Sequence, residues 1–187
     1  SSSCGRRQRG KSRRESPLLW ALYFLTYITV LTRMLLNPPE DGIIQPFAYG
    51  LTALFLVLAV AQAILRYRFP WTTHVFLGLQ TCVVLALLLT DPNMDYYALL
   101  FVGLSMVTGR DLPGLPSAIW LGVFCVLLTA GLVAAFNVSE AAGYAPSYIA
   151  GCLIIGLYGR ASRIAEEARA RSDRLAAELG EANRRLR

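Results

Sequence analysis

The fold is decided by an uncharged run at positions 118 to 138, which reads AIWLGVFCVLLTAGLVAAFNV. As a helix, such a run is long enough to cross the roughly 30 Å hydrocarbon core of a bilayer. Three further segments have the same length and character: Leu18 to Leu36, Phe47 to Leu65 and Trp71 to Thr90. Of the 187 residues 55% are hydrophobic and only 16% are charged, which excludes an ordinary water-soluble domain.

Two shorter apolar segments, Tyr96 to Thr108 and Tyr148 to Gly159, complete a predicted set of six transmembrane helices. All nine prolines fall outside the six segments, as expected where helix breakers mark the turns. An alternative with four helices omits both short segments, but it leaves apolar backbone in lipid without protein cover. The sequence therefore predicts an all-α, polytopic six-helix bundle. Its fourth helix would be only about 20 Å long, so its tilt is expected to respond to bilayer thickness.

The charges predict how this bundle is oriented. In the six-helix arrangement every Lys and Arg except Arg33 lies on one side, and the loops of the other side carry only acidic residues: Glu40, Asp41, Asp91, Asp95 and Glu140. Basic loops stay cytoplasmic, so both termini are predicted to be cytoplasmic in a multi-pass protein of the bacterial inner membrane. The net charge of +6 is then topological and indicates no nucleic-acid partner. Arg33 is expected to extend to the outer headgroups; the alternative is a contact with Glu40 or Asp41.

Polar side chains inside the predicted helices are few. No ionisable group lies near the middle of the bilayer, which disfavours a transporter or proton pump. Gln62 and Gln80 are expected to hydrogen-bond to neighbouring helices, with a ligand contact of Gln80 as the less favoured alternative. Small residues in helices four and six are expected to allow close helix approach: Ser105, Gly109, Gly151, Gly156 and Gly159.

The sequence contains no pattern that predicts a metal or cofactor site. His74 is the only histidine, so it has no second imidazole with which to hold haem or a metal, and we interpret it as an interfacial polar residue. The four cysteines have no metal-ligand spacing and three lie in apolar runs, which favours packing roles over a zinc site or a disulfide framework: Cys4, Cys82, Cys125 and Cys152. No catalytic residue is predicted either.

After Gly159 the chain becomes rich in Arg, Ala and Glu, and an uncharged seam recurs at alternating spacings of four and three. We call these residues the heptad seam: Ala165, Ala168, Ser172, Leu175, Leu179, Ala182 and Leu186, preceded in register by Ala161. Such a seam predicts a parallel coiled-coil homodimer. The ion pairs Glu167–Arg171, Arg174–Glu178 and Glu181–Arg185 are expected along the helix. The predicted organisation is a basic N-terminal segment at 1–16, a membrane sensor domain at 17–159 and a dimeric linker helix at 160–187.

The linker segments Arg163-Ile-Ala-Glu-Glu-Ala-Arg169, Leu175-Ala-Ala-Glu-Leu179 and Asn183-Arg-Arg-Leu186, placed after six compact helices, carry a family resemblance. They resemble the sensor half of bacterial two-component histidine kinases of the DesK-like branch, whose partners are NarL-type response regulators. The resemblance implies an ATP-dependent protein-histidine kinase in which this chain is a fragment without catalytic residues. The phosphoacceptor histidine, ATP and Mg²⁺ are expected in a kinase core that follows residue 187.

Two other functions stay open at this point. The same kind of linker precedes diguanylate cyclase domains, and the residues after Arg187 would distinguish the two enzymes. A small transporter or permease subunit is the alternative from another class, and it would not require the helix beyond Gly159. We favour the sensor and dimerisation module, which relays a membrane or envelope stimulus through the coiled coil.

Overall fold

The computed structural model describes residues 17–37, 44–65, 71–90 and 94–186. Within these ranges the chain forms helices and no strands, which confirms the predicted all-α class. The helices are α1 (Pro17–Leu36), α2 (Ile44–Leu65), α3 (Thr72–Thr90), a 3₁₀ helix (Asp95–Ala98), α4 (Leu99–Asp111), α5 (Gly114–Ala135) and α6 (Val138–Leu186). The predicted basic segment 1–16, together with Cys4, Glu40, Asp41 and Asp91, lies outside the described residues.

Four of these helices, α2, α3, α5 and α6, are long and apolar enough to cross a membrane, and α1 contributes a shorter apolar stretch, Tyr23–Leu36. Large apolar side chains point outward from all five. Examples are Leu25 at 56%, Val57 at 62%, Val126 at 67% and Ile154 at 64% exposure. Outward faces of this kind are stable in lipid and not in water. The apolar helices therefore indicate a membrane protein.

Contacts of α1 with α2 and α4 show that α1 runs antiparallel to both. At one end, Tyr23 near the start of α1 lines a cleft with Gln62 near the end of α2 and Arg110 near the end of α4. We call this the basic end. At the opposite end, Thr52 of α2 donates a hydrogen bond to the Met34 sulfur of α1 at 3.7 Å.

The centre of the bundle is α4. It contacts α1, α3, α5 and α6, and every residue from Tyr96 to Asp111 is buried or half-buried. Together with the preceding 3₁₀ helix it forms a helical segment about 27 Å long, which is longer than the predicted one. The expected sensitivity of this helix to bilayer thickness stays a prediction; the burial of α4 limits its contact with lipid, through which hydrophobic mismatch acts.

The predicted start of the sixth helix at Tyr148 is wrong, since α6 begins at Val138. The prediction that all prolines lie outside helices is wrong for the same reason at Pro146, which is inside α6. Its ring faces outward, and membrane helices tolerate an interior proline. Three other prolines, Pro17, Pro46 and Pro116, occupy first turns, where backbone N–H groups have no intrahelical acceptor.

Candidate functional site

Helix α6 is the most distinctive element, because one continuous helix of 49 residues joins the bundle to the charged C-terminal segment. Its start is fixed by a reciprocal cap. The Asn137 side-chain oxygen accepts a hydrogen bond from the Glu140 backbone N–H at 3.0 Å, and its amide donates to the Glu140 carboxylate at 2.9 Å. An Asn followed three residues later by Glu was the signal for this helix start in the sequence.

The first half of α6 lies against α4 at very short range, which confirms the predicted role of small residues. A Cβ added at Gly109 would collide with the backbone carbonyl of Gly156, and one added at Gly159 would come within 2.7 Å of the Met106 carbonyl oxygen. Since backbone atoms cannot move aside as flexible side chains do, only glycine fits these positions. The contact between α4 and α6 therefore couples their positions tightly at the basic end.

The second half of α6 leaves the bundle and is exposed. Every residue of the heptad seam from Ala165 to Leu186 is exposed in the single chain, with Leu175 at 54%, Leu179 at 71% and Leu186 at 87%. Leucines at these exposures lie on one stripe of the helix, and none of them packs against the bundle. The helix thus presents an apolar stripe that no described residue covers.

Ion pairs along this half differ in part from the predicted set. The Arg185 guanidinium donates to the Glu181 carboxylate at 2.6 Å, as predicted. Glu167, by contrast, lies 4.0 Å from Arg163 on the preceding turn. Both kinds of pair are spaced four residues apart and support an isolated helix by a few tenths of a kcal/mol each. The exposed half can therefore hold its helical form where the bundle no longer supports it.

The two predicted intramembrane glutamines are both buried, Gln62 at 4% and Gln80 at 0% exposure. Among the described residues the Gln62 amide nitrogen has no hydrogen-bond partner, and neither amide atom of Gln80 has one of good geometry, although the Tyr23 hydroxyl lies beside Gln80. The predicted hydrogen bonds from these amides to neighbouring helices are therefore not confirmed. An unpaired buried amide costs about 1 to 3 kcal/mol. The two buried amides and the Tyr23 hydroxyl therefore form a polar spot among α1, α2 and α3.

A small cleft opens next to this spot at the basic end. Its walls include Tyr23 and Gln62 on one side and Met106, Arg110 and Asp111 on the other. The cleft volume is about 20 Å³, which is room for about one water molecule. A drug-sized ligand does not fit this space, and its walls are mainly apolar, with Ala59, Ala63, Met106 and Val107 among the lining residues.

His74 and Trp120 form a second polar contact at the basic end, between the first turn of α3 and the second turn of α5. The Trp120 indole N–H donates to His74 Nδ1 at 2.9 Å, and the two rings stack with centroids 6.3 Å apart. The imidazole thus serves as a hydrogen-bond acceptor between helices. Among the described residues no group of three or more His, Cys, Asp or Glu side chains is placed to hold a metal ion.

At the opposite end α6 is tied to the 3₁₀ helix that precedes α4. The Tyr148 hydroxyl donates to the Asp95 carboxylate at 2.7 Å. Arg33 is exposed on α1, and its charge is near enough to act on the Tyr148 hydroxyl. Its predicted extension to the headgroups stays a prediction, and the alternative partners Glu40 and Asp41 lie outside the described residues. The sequence does not predict the Tyr148–Asp95 bond, because the two residues are far apart in the chain and no motif joins them.

Taken together, these contacts hold α6 against α4 at both ends of its first half and leave its second half exposed. Comparison with protein-family models, with curated proteins and with solved structures finds no match for this chain.

Proposed function

We propose that this chain is the transmembrane sensor and dimerisation module of a two-component sensor histidine kinase. The proposal includes six membrane-spanning helices, with both termini in the cytoplasm of a bacterial cell and the bundle in its inner membrane. One observation carries it: α6 is a single helix that is clamped to the centre of the bundle and then presents an exposed heptad seam.

The continuity of α6 from the bundle into the heptad seam allows a signal to be transmitted along it. A continuous helix moves as a rod, so a tilt or rotation of its membrane half is transmitted to its outer half. The glycine contacts at Gly109, Gly156 and Gly159 make any shift of α4 relative to the bundle a shift of α6 as well. A stimulus that reaches the bundle from the membrane or the envelope would act through this contact.

The heptad seam supports the homodimer. Two copies in one membrane send α6 out of the same face, so their seams can pair only in parallel. The half nearest the membrane is lined by Ala165, Ala168 and Ser172, which bury little apolar area, while Leu175 and Leu179 bury more. The weaker half permits changes of register or splay at low energetic cost, as a relay requires.

The resemblance of the linker segments to DesK-like kinases supplies the output. In the proposal a kinase core joined to the end of α6 holds ATP and Mg²⁺, carries the phosphoacceptor histidine and passes phosphate to a response regulator. No residue of the present chain is assigned to ATP, to Mg²⁺ or to the phosphoryl transfer. His74 is not assigned that role either; it lies on α3, where its Nδ1 accepts a hydrogen bond from Trp120.

Disulfide crosslinking tests the dimer that the proposal requires. The full chain, with Cys4, Cys82 and Cys125 replaced by Ser, is placed in native membranes and receives Leu175→Cys or Leu179→Cys. Both variants should crosslink to dimers, because their side chains face the partner. Ala177→Cys is the matched control, since Ala177 lies between the two leucines in sequence and about 160° away around the helix. Equal crosslinking at all three positions would contradict the proposed relay.

The enzyme class is tested with the gene product that carries this module, in membrane vesicles supplied with ATP. A histidine kinase forms a phosphohistidine, which is stable in alkali and labile in acid. Formation of a cyclic dinucleotide from GTP would contradict the kinase proposal and assign the output to a diguanylate cyclase. Substrate flux that survives removal of the chain after Gly159 would replace the sensor by a transporter.

A further inference from the structure

The membrane half of α6 has an exposed face that continues the heptad seam. Stepping back from Ala161 by three and then four residues reaches Tyr158 and Ile154, which are 46% and 64% exposed. We infer that these two residues pair with the same residues of a second copy of this chain, so that the dimer interface extends from the coiled coil into the bilayer. The inference rests on the proposed homodimer and adds to it the part that lies in lipid.

The position of this face on the helix supports the inference. Cys152, Gly156 and Gly159 form the side of α6 that is buried against the bundle. Residues of an α-helix are separated by about 100°, so Ile154 lies about 160° from both Cys152 and Gly156. The face that would meet the partner is therefore the one directed away from the chain's own bundle. A second copy can approach it without displacing α4 or α5.

Continuity of the helix makes the contact hard to avoid once the coil has formed. Paired helices lie about 8 to 10 Å apart and cross at about 20°. From Ala161 back to Ile154 the helix rises by about 10 Å, over which such a crossing separates the axes by only about 4 Å. The nearest helix breaker is Pro146, which precedes Ile154 by more than two turns. Other outward apolar residues, such as Leu25 and Val57, have no such constraint and are left to lipid.

Crosslinking at neighbouring positions separates a partner from lipid. In the full chain lacking Cys4, Cys82 and Cys125, with the buried Cys152 kept, we compare Ile154→Cys with Leu153→Cys and Tyr158→Cys with Leu157→Cys. Members of each pair share the same depth, and both control leucines are exposed, at 41% and 56%. In native membranes we expect severalfold more dimer from Ile154→Cys and Tyr158→Cys than from their controls.

The seam variant Leu175→Cys, measured in parallel, distinguishes failure of the membrane interface from failure of the proposed homodimer. Crosslinking at Leu175 together with equal crosslinking at Leu153 and Ile154 would overturn this inference, assign the membrane face to lipid and leave the proposed function standing. Absence of crosslinking at both Leu175 and Leu179 would overturn the proposed function and this inference with it.

Discussion

Helices α4 and α6 contact each other through Gly109, Gly156 and Gly159, yet their surroundings differ completely. Every residue of α4 is buried or half-buried, and the helix contacts four others. Helix α6 is buried on one side as far as Gly159, and nearly all its residues after that point are exposed. The difference assigns the two helices different tasks: α4 fixes the bundle, and α6 connects it to whatever lies outside.

The comparison also explains their lengths. A helix surrounded by protein does not have to match the thickness of the bilayer, so the 13 residues of α4 are sufficient. A helix that must face lipid, reach water and extend beyond the bundle has to be long, and α6 has 49 residues. Length in this protein follows from what surrounds each helix.

The largest expected effect comes from shortening a leucine in each helix. Leu104 of α4 has 0% exposure, so Leu104→Ala should lower the free energy of unfolding by about 2 to 5 kcal/mol through the cavity that it leaves. Leu179 of α6 is 71% exposed, and Leu179→Ala should change the stability of the monomer by less than about 0.5 kcal/mol. Unfolding of the detergent-solubilised monomer by SDS titration measures both. Similar losses would mean that the two helices do not differ as described.

An added methyl group at the shared contact should have the next largest effect. Gly109→Ala places a Cβ against the Gly156 backbone and should destabilise the bundle by about 1 to 3 kcal/mol, because the helices must separate. Gly122→Ala on α5 is the control, since nothing lies within 4 Å of its Cβ position, and it should be neutral or slightly stabilising. If both variants unfold alike in the same titration, the close contact between α4 and α6 does not exist.

The smallest of the three effects concerns the tie at the opposite end. Tyr148→Phe removes the hydrogen bond to Asp95 and should cost about 1.5 kcal/mol, since the acceptor is a charged group that is only half-buried. Tyr144→Phe keeps the ring contact with Phe136 and should change little. Thermal unfolding followed by circular dichroism compares the two variants. A loss in Tyr144→Phe equal to that in Tyr148→Phe would show that the tie to Asp95 contributes nothing.

Much of the fold could be predicted, because apolar length and charge are local properties of the chain. The helices α1, α2, α3 and α5 begin and end within four residues of the predicted positions. The start of α6 was missed because Pro146 and Gly143 resemble a turn in sequence, whereas the Asn137–Glu140 cap and the neighbouring helices keep this stretch helical. Where a helix cap is followed by residues that favour a turn, packing determines whether the stretch is helical. A single sequence does not reveal that packing.

The residues of the candidate site likewise divide into those that the sequence predicts and those that only the tertiary structure shows. The spacing of Leu175, Leu179 and Leu186 identified the heptad seam, since periodicity alone places them on one face. The position of Gln80 beside Tyr23 and the contact of His74 with Trp120 depend on which helices become neighbours. No pattern along the chain contained that information.

By itself the sequence determined that the chain is all-α, apolar enough for a membrane, and followed by a charged helix with an uncharged seam. These properties follow from hydrophobic length and periodicity, which act residue by residue. Only the tertiary structure decided that α4 is the centre, that glycines bring it against α6, and that α6 runs unbroken from the bundle into the seam. Those properties depend on contacts between residues far apart in the chain, where shape and close packing select one arrangement among many.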